Sequence, residues 1–171
     1  MMLEEDVKLR IQFLDRVVQR ECTHLNRTTD RLFAEPFTLE KARTIGNDDD
    51  LSERIEAFVS RFSRLQDTLG DKLIPLILEA LGEHQGAAID NLDKAERFSW
   101  IHSVDEWFAI RRLRNQMVHD YIEDLELLTS AIQTAQLFVA TLTRTTQKLH
   151  AEIEHRGWVD DGQESGGSIP I

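Results

Sequence analysis

The sequence is 171 residues long, 41% apolar and 30% charged, with 8 glycines, 3 prolines and one cysteine. Those proportions suit a single folded domain and exclude collagen-like, disulfide-scaffolded and wholly disordered chains. With 20 Lys and Arg against 31 Asp and Glu the net charge is -11, so the bulk of the chain repels nucleic acid and anionic membranes, and any polyanion has to be held by a local basic patch.

Residues 3–33 carry apolar side chains at Leu3, Val7, Ile11, Leu14, Val18, Cys22 and Leu25. Gaps of three, four and seven keep these on one face of a helix. Pro36 ends that helix, and residues 37–50 read as a connection closing in Asn47-Asp48-Asp49-Asp50. Asp50 with Glu53 has capping-box spacing, which starts the next helix near Leu51. Its stripe is Leu51, Ile55, Phe58, Phe62, Leu65 and Leu69. Gly70 and Pro75 predict a kink or break, because proline lacks the amide hydrogen and its ring meets the carbonyl of Asp71. The second piece ends near Gly82.

A third helical region is expected over 88–101 and a fourth over 104–121, the latter opened by the Ser103/Glu106 capping pair. The last helix has the cleanest pattern: Leu125, Leu128, Ile132, Ala135, Val139, Leu142, Leu149 and Ile153 alternate by three and four, missing only at Thr146. That is the core seam of a bundle. No stretch alternates long enough for a strand. The expected fold is all-α: an up-and-down antiparallel bundle of four to five main helices over residues 1–156. A Gly/Ser/Asp-rich tail at 157–171 is expected to be disordered.

No apolar run reads as a membrane span. The start MMLEED is acidic where a secretory or mitochondrial address is basic, and Cys22 has no second cysteine to pair with. These features point to a cytoplasmic protein without membrane contact.

Several chemistries lack their residues. There is no Gly-rich phosphate loop, no HExxH pair and no second cysteine for a zinc site, so no metal is expected. Cys22 reads as a structural cysteine that faces away from His24. His150 and His155 sit in the last turns of a long helix, where a cation suits the carbonyl end, and His84 falls in a turn.

One segment stands apart: Arg111-Arg112-Leu113-Arg114-Asn115-Gln116-Met117-Val118-His119-Asp120-Tyr121. It places three arginines within four residues on an otherwise acidic chain, followed by Arg-x4-His-x-Tyr. Arg-x4-His alone is weak, since 15 Arg and 6 His in this chain produce about 0.5 by chance, and Arg97/His102 repeats the spacing. Context separates the two copies. The first has a polar residue after the arginine and the chain's sole tyrosine two places beyond the histidine, which lowers the accidental expectation about a hundredfold.

RRLRNQMVHDY resembles the signature of the HEPN superfamily, in its HepT-like toxin branch. Helix order, chain length and motif position agree with that resemblance. It implies a HEPN-like homodimer whose two motifs meet in an interfacial cleft, acting as a metal-independent ribonuclease on mRNA or tRNA. It also implies a cognate minimal nucleotidyltransferase (MNT-type) antitoxin that transfers AMP from ATP to Tyr121, with no other cofactor.

The residue types fit such chemistry. On an ideal helix Asn115 and His119 share a face, whereas Arg114 and His119 lie about 140° apart. Either the helix distorts before His119 or a two-fold axis brings two copies together. His119 is the expected acid/base and Arg114 the phosphate and transition-state clamp. Asn115 orients His119 or the phosphate, and Arg111 and Arg112 attract RNA. The expected product is a 2′,3′-cyclic phosphate. Trp107, Ile110, Leu113 and Met117 read as packing residues, and Asp67 as a solvated carboxylate before a partner of the motif. The alternatives are a non-catalytic helical adaptor that presents substrate to a nucleotidyltransferase, and a purely structural dimerisation bundle.

Overall fold

A computed structural model describes residues 3–84, 86–119 and 123–159, without the side chain of His119. Among the described residues every regular element is helical and no strand occurs. The first helix, α1 (Glu5–Leu32), buries Val7, Ile11, Val18, Cys22, Leu25 and Leu32 on the stripe its spacing predicts. The expected connection at 37–50 is more structured than its composition suggests. It holds a short helix, α2 (Leu39–Ala42), and a 3-10 turn (Ile45–Asn47). Thr38 caps α2 by accepting from Lys41 N–H. Phe37 and Ala42 are buried, and Gln133 Nε2 donates to the Phe37 carbonyl at 2.7 Å.

The next helix, α3 (Asp49–Asp67), starts two residues before the expected point. Asp48, not Asp50, is the cap, its carboxylate accepting from Leu51 N–H at 3.0 Å. Three successive aspartates offer the same chemistry, and the extended backbone of Asp48 leaves Asp49 and Asp50 in the first turn, where carboxylates suit the helix dipole.

Of the kink or break expected at Gly70 and Pro75, the break does not occur. Residues Thr68–Leu73 form a π-helical turn that runs into α4 (Ile74–Ala80). Ile74 N–H reaches back to Leu69 O, the five-residue spacing of a π-turn. The wider turn makes room for the Pro75 ring, which falls in the first turn of α4, where a missing N–H costs little.

Helix α5 (Ala88–Arg97) is four residues shorter than expected. It ends in a Schellman turn: Ser99 N–H donates to Glu96 O and Trp100 N–H to Ala95 O, both at 2.9 Å. Ser99 takes the left-handed conformation this requires, φ 63°. Next, α6 (Val104–His119) opens on Ser103, whose Oγ accepts from Glu106 N–H at 3.0 Å. The last helix is α7 (Leu125–His155), capped by Asp124.

Cross-helix pairs give the directions. On α1 and α3, Thr28 meets Arg61 and Glu21 meets Thr68, so the two run antiparallel. The pairs Asp15–His150 and Asn26–Thr143 make α1 and α7 antiparallel. Asp67–Arg114 and Asp71–Arg111 do the same for α3 and α6. With α6 packed on α7 across a short connection, the ring α1–α3–α6–α7 closes with alternating directions, an up-and-down bundle. Helix α5 lies against α4 and α6.

By length and hydropathy α7 is apolar enough to cross a membrane, which inspection of apolar runs does not reveal. In the fold its Leu128, Ile132, Ala135, Leu142, Leu149 and Ile153 belong to the bundle core. Residues 158 and 159, at the start of the expected tail, pack on the domain. Gln12 Nε2 donates to Val159 O at 3.1 Å, and Trp158 packs beside the core under Arg156. Residues 160–171 lie outside the described part.

Candidate functional site

Helix α6 buries Trp107, Ile110, Leu113 and Met117 along one side. The arginine cluster is therefore split by helical geometry. Arg111 and Arg114, three residues apart, flank the buried stripe and face α3, whereas Arg112 is exposed. Arg114 Nη2 donates to Asp67 Oδ2 at 2.9 Å and its Nη1 to Asn115 Oδ1 at 3.2 Å. One turn earlier, Arg111 Nη2 donates to Asp71 Oδ1 at 2.8 Å. Arg114 Nε is buried without a hydrogen-bond partner.

Asp67 is thus a partner of the motif, contrary to the expectation of a solvated carboxylate. Asp71 was not singled out, although a signal exists: two aspartates four residues apart oppose two arginines three apart on the next antiparallel helix. The helices approach closely enough to form both pairs because Gly70, between the aspartates, lies under the Trp107 indole. A Cβ at Gly70 would stand 2.9 Å from Trp107 Nε1.

Of the remaining motif residues, His119 closes α6 with its backbone. Its side chain, and Tyr121 altogether, lie outside the described residues. Arg114 and Asn115 are brought together by the structure, with Arg111 one turn away and Arg112 outside the cluster.

Beside them runs a groove of about 710 Å³ along α3, bounded by Ser60, Ser63, Asp67, Thr68, Lys72 and the Met117–Val118 end of α6. Thr68 Oγ1 donates to Glu21 Oε1 at 3.1 Å behind this wall. Burial pushes the Glu21 carboxyl above its usual range, against the Thr68 hydrogen bond and the charges of Arg64 and Lys72. Sequence periodicity gives no hint of the Glu21–Thr68 pair, because it depends on which helix packs against α1.

A second polar cluster joins α1 to α7. His150 Nδ1 lies 2.9 Å from Asp15 Oδ2, and Nε2 lies 3.2 Å from Glu154 Oε1. The expected helix-end role of His150 is therefore a cross-helix pairing. Burial raises the Asp15 pKa, with the His150 and Gln19 contacts pulling the other way. Cys22 is buried with Sγ 3.7 Å from Thr143 Oγ1. Among the described residues no three His, Cys, Asp or Glu side chains gather as a metal site. Compared with known protein families, curated proteins and solved structures, the chain matches none.

Proposed function

We propose that the chain is a HEPN-type, metal-independent endoribonuclease that works as a homodimer in the cytoplasm and is silenced by a cognate MNT-type nucleotidyltransferase. The observation carrying this reading is the Arg114 guanidinium, held between Asp67 and Asn115 on α6, the helix that ends at position 119. Arginine held in this way is preorganised to meet charge growing on a phosphodiester. Val118, 46% exposed beside the groove, suits a two-fold contact that sets two motifs face to face.

In the proposed reaction His119 takes the proton of a ribose 2′-OH, and its O2′ attacks phosphorus. The P–O5′ bond breaks, and a protonated imidazole, the same or that of the second copy, returns a proton to O5′. The products are a 2′,3′-cyclic phosphate and a 5′-hydroxyl. Arg114 stabilises the equatorial oxygens, Asn115 orients His119 or the phosphate, and Arg111 and Arg112 draw RNA to the site. When the Tyr121 phenol oxygen attacks the α-phosphorus of ATP and pyrophosphate leaves, the attached AMP sets a phosphate and an adenine where RNA would lie.

The test is RNA cleavage in chelator by the parent, His119→Ala and Arg114→Ala, with product ends identified by mass. Both variants are expected to lose about a hundredfold or more; unchanged rates end the nuclease reading. Co-production with a cognate nucleotidyltransferase is expected to add one AMP to Tyr121, and an intact mass without it removes the silencing step.

The ion pairs of Arg111 and Arg114 favour a second reading, a helical adaptor that docks a basic nucleotidyltransferase through its acidic surface. That protein would bind the partner and leave RNA intact.

A further inference from the structure

Far from the motif, a small cavity of about 60 Å³ lies between the α5–α6 connection and the middle of α7, lined by Trp100, His102, Thr141, Arg144, Thr145 and Lys148. Helical spacing explains the α7 contribution, since positions 141, 144, 145 and 148 fall on one face. The left-handed turn at Ser99 explains the other wall, because it reverses the chain after α5 and lays Trp100 and His102 against α7.

The chemistry of this wall is one-sided. Arg144, Lys148 and the indole N–H of Trp100 are donors only. Among the described residues no carboxylate lines the cavity. Nor does any pair with Arg144, Lys148 or His102; Arg144 Nη2 has only Thr141 Oγ1, at 3.5 Å. This is unexpected on a chain of net charge -11, in which Arg111 and Arg114 both found carboxylates. Trp100 is 3% exposed, and its Nε1 is buried with no hydrogen-bond partner. Trp100 therefore supplies a closed wall, and the donors left open to the cavity are those of Arg144 and Lys148.

From these observations we infer that the cavity is a binding site for a phosphate group, held by Arg144, Lys148 and His102 over the Trp100 indole. Size selects within the oxyanions. A space of about 60 Å³ suits a small anion and is too tight for a base or a sugar. The guanidinium of Arg144 gives the fork that phosphate oxygens accept, and the Lys148 ammonium adds a point charge. The group is either free phosphate or the end of a phosphomonoester whose remainder stays outside. The site does not rest on the ribonuclease reading. It lies at the opposite end of α6 from the motif, and 16 residues of helix span about 24 Å.

Calorimetric titration of the full chain with inorganic phosphate, at low ionic strength in chloride, tests it. One phosphate per chain is expected, weakened about tenfold or more in the Arg144→Gln/Lys148→Gln variant. Arg43→Gln, an exposed arginine elsewhere, is expected to bind as the parent does. Arg144 and Lys148 are exposed, so circular dichroism should report an unchanged helix content in their variant. No phosphate binding by the parent, or equal binding by parent and double variant, overturns the inference. A nucleoside 5′-monophosphate in place of phosphate separates the sources. Tighter binding assigns a phosphomonoester, and equal binding assigns free phosphate.

Discussion

Gly70→Ala is the substitution that most directly tests how the fold holds the arginines. The new Cβ would stand 2.9 Å from Trp107 Nε1, 3.2 Å from Cζ2 and 3.3 Å from Cε2. Carbon contacts settle at about 3.5–4.0 Å, and the ring has no room to swing because Trp107 is 1% exposed. The π-turn and α6 must therefore separate by roughly half an ångström or more. Overpacking of this kind costs about 1–3 kcal/mol, and alanine's better helical propensity returns at most ~1 kcal/mol. A net loss of about 1–2 kcal/mol is expected in urea unfolding followed by circular dichroism. In a Trp107→Leu background the ring and its three clashing atoms are gone, and the same change should be neutral or stabilising, a coupling of about 1 kcal/mol or more. If Gly70→Ala stabilises both backgrounds equally, the close approach does not set the α3–α6 spacing.

Two further changes address stability elsewhere. Because the Asp15 carboxyl is raised above its ordinary 3.8 by burial, its stabilising contribution is complete below that value and is lost as pH climbs through the raised one. The stability advantage of the parent over Asp15→Asn should therefore shrink from acid towards neutral pH; an advantage that grows with pH would show the His150 contact outweighing burial. Ser99→Gly relieves a left-handed serine at a Schellman turn and should stabilise by about 0.5–1 kcal/mol, raising the melting temperature by a few degrees; no rise would mean that the turn is not strained.

How far the sequence led depends on the range of the interaction. The stripes from Val7 to Leu25 and from Leu128 to Ile153 are helical-period signals on single elements, and both became core. The Ser103 cap is a four-residue signal and is present. Among Asp48, Asp49 and Asp50 the cap is degenerate, and only the placement of Leu51 against the core selects the first. Pro75 signals a broken helix by local rules, but packing on both sides, with Leu69, Leu73, Ile74 and Ile77 fully buried, keeps the chain helical through a π-turn. The cavity between Trp100 and Lys148 brings together residues about 45 positions apart, beyond any periodicity. At the motif the arginines were legible as chemistry, whereas their carboxylate partners belong to another helix.

Those partners change what the cluster can do. Arg111 and Arg114 each face an aspartate, and with the exposed Arg112 the segment keeps +1 per chain (+3 from Arg111, Arg112 and Arg114; -2 from Asp67 and Asp71). On the proposed nuclease reading, the attraction for RNA is therefore much weaker than RRLRN suggests. A two-fold arrangement doubles this charge without changing its sign, and the salt dependence of binding reads it out. One or two phosphates neutralised on single-stranded RNA give a slope of log K against log salt near -0.7 to -1.4. Asp67→Ala frees one guanidinium and should steepen the slope by about 0.7. The ion pair is partly exposed, so its loss costs under about 1 kcal/mol of stability. If Asp67 also holds Arg114 in its working orientation, the same variant binds RNA more tightly while kcat falls, because the fork is no longer preorganised. Tighter binding with an unchanged kcat makes Asp67 only a competitor of phosphate, and an unchanged slope removes Arg114 from the RNA contact.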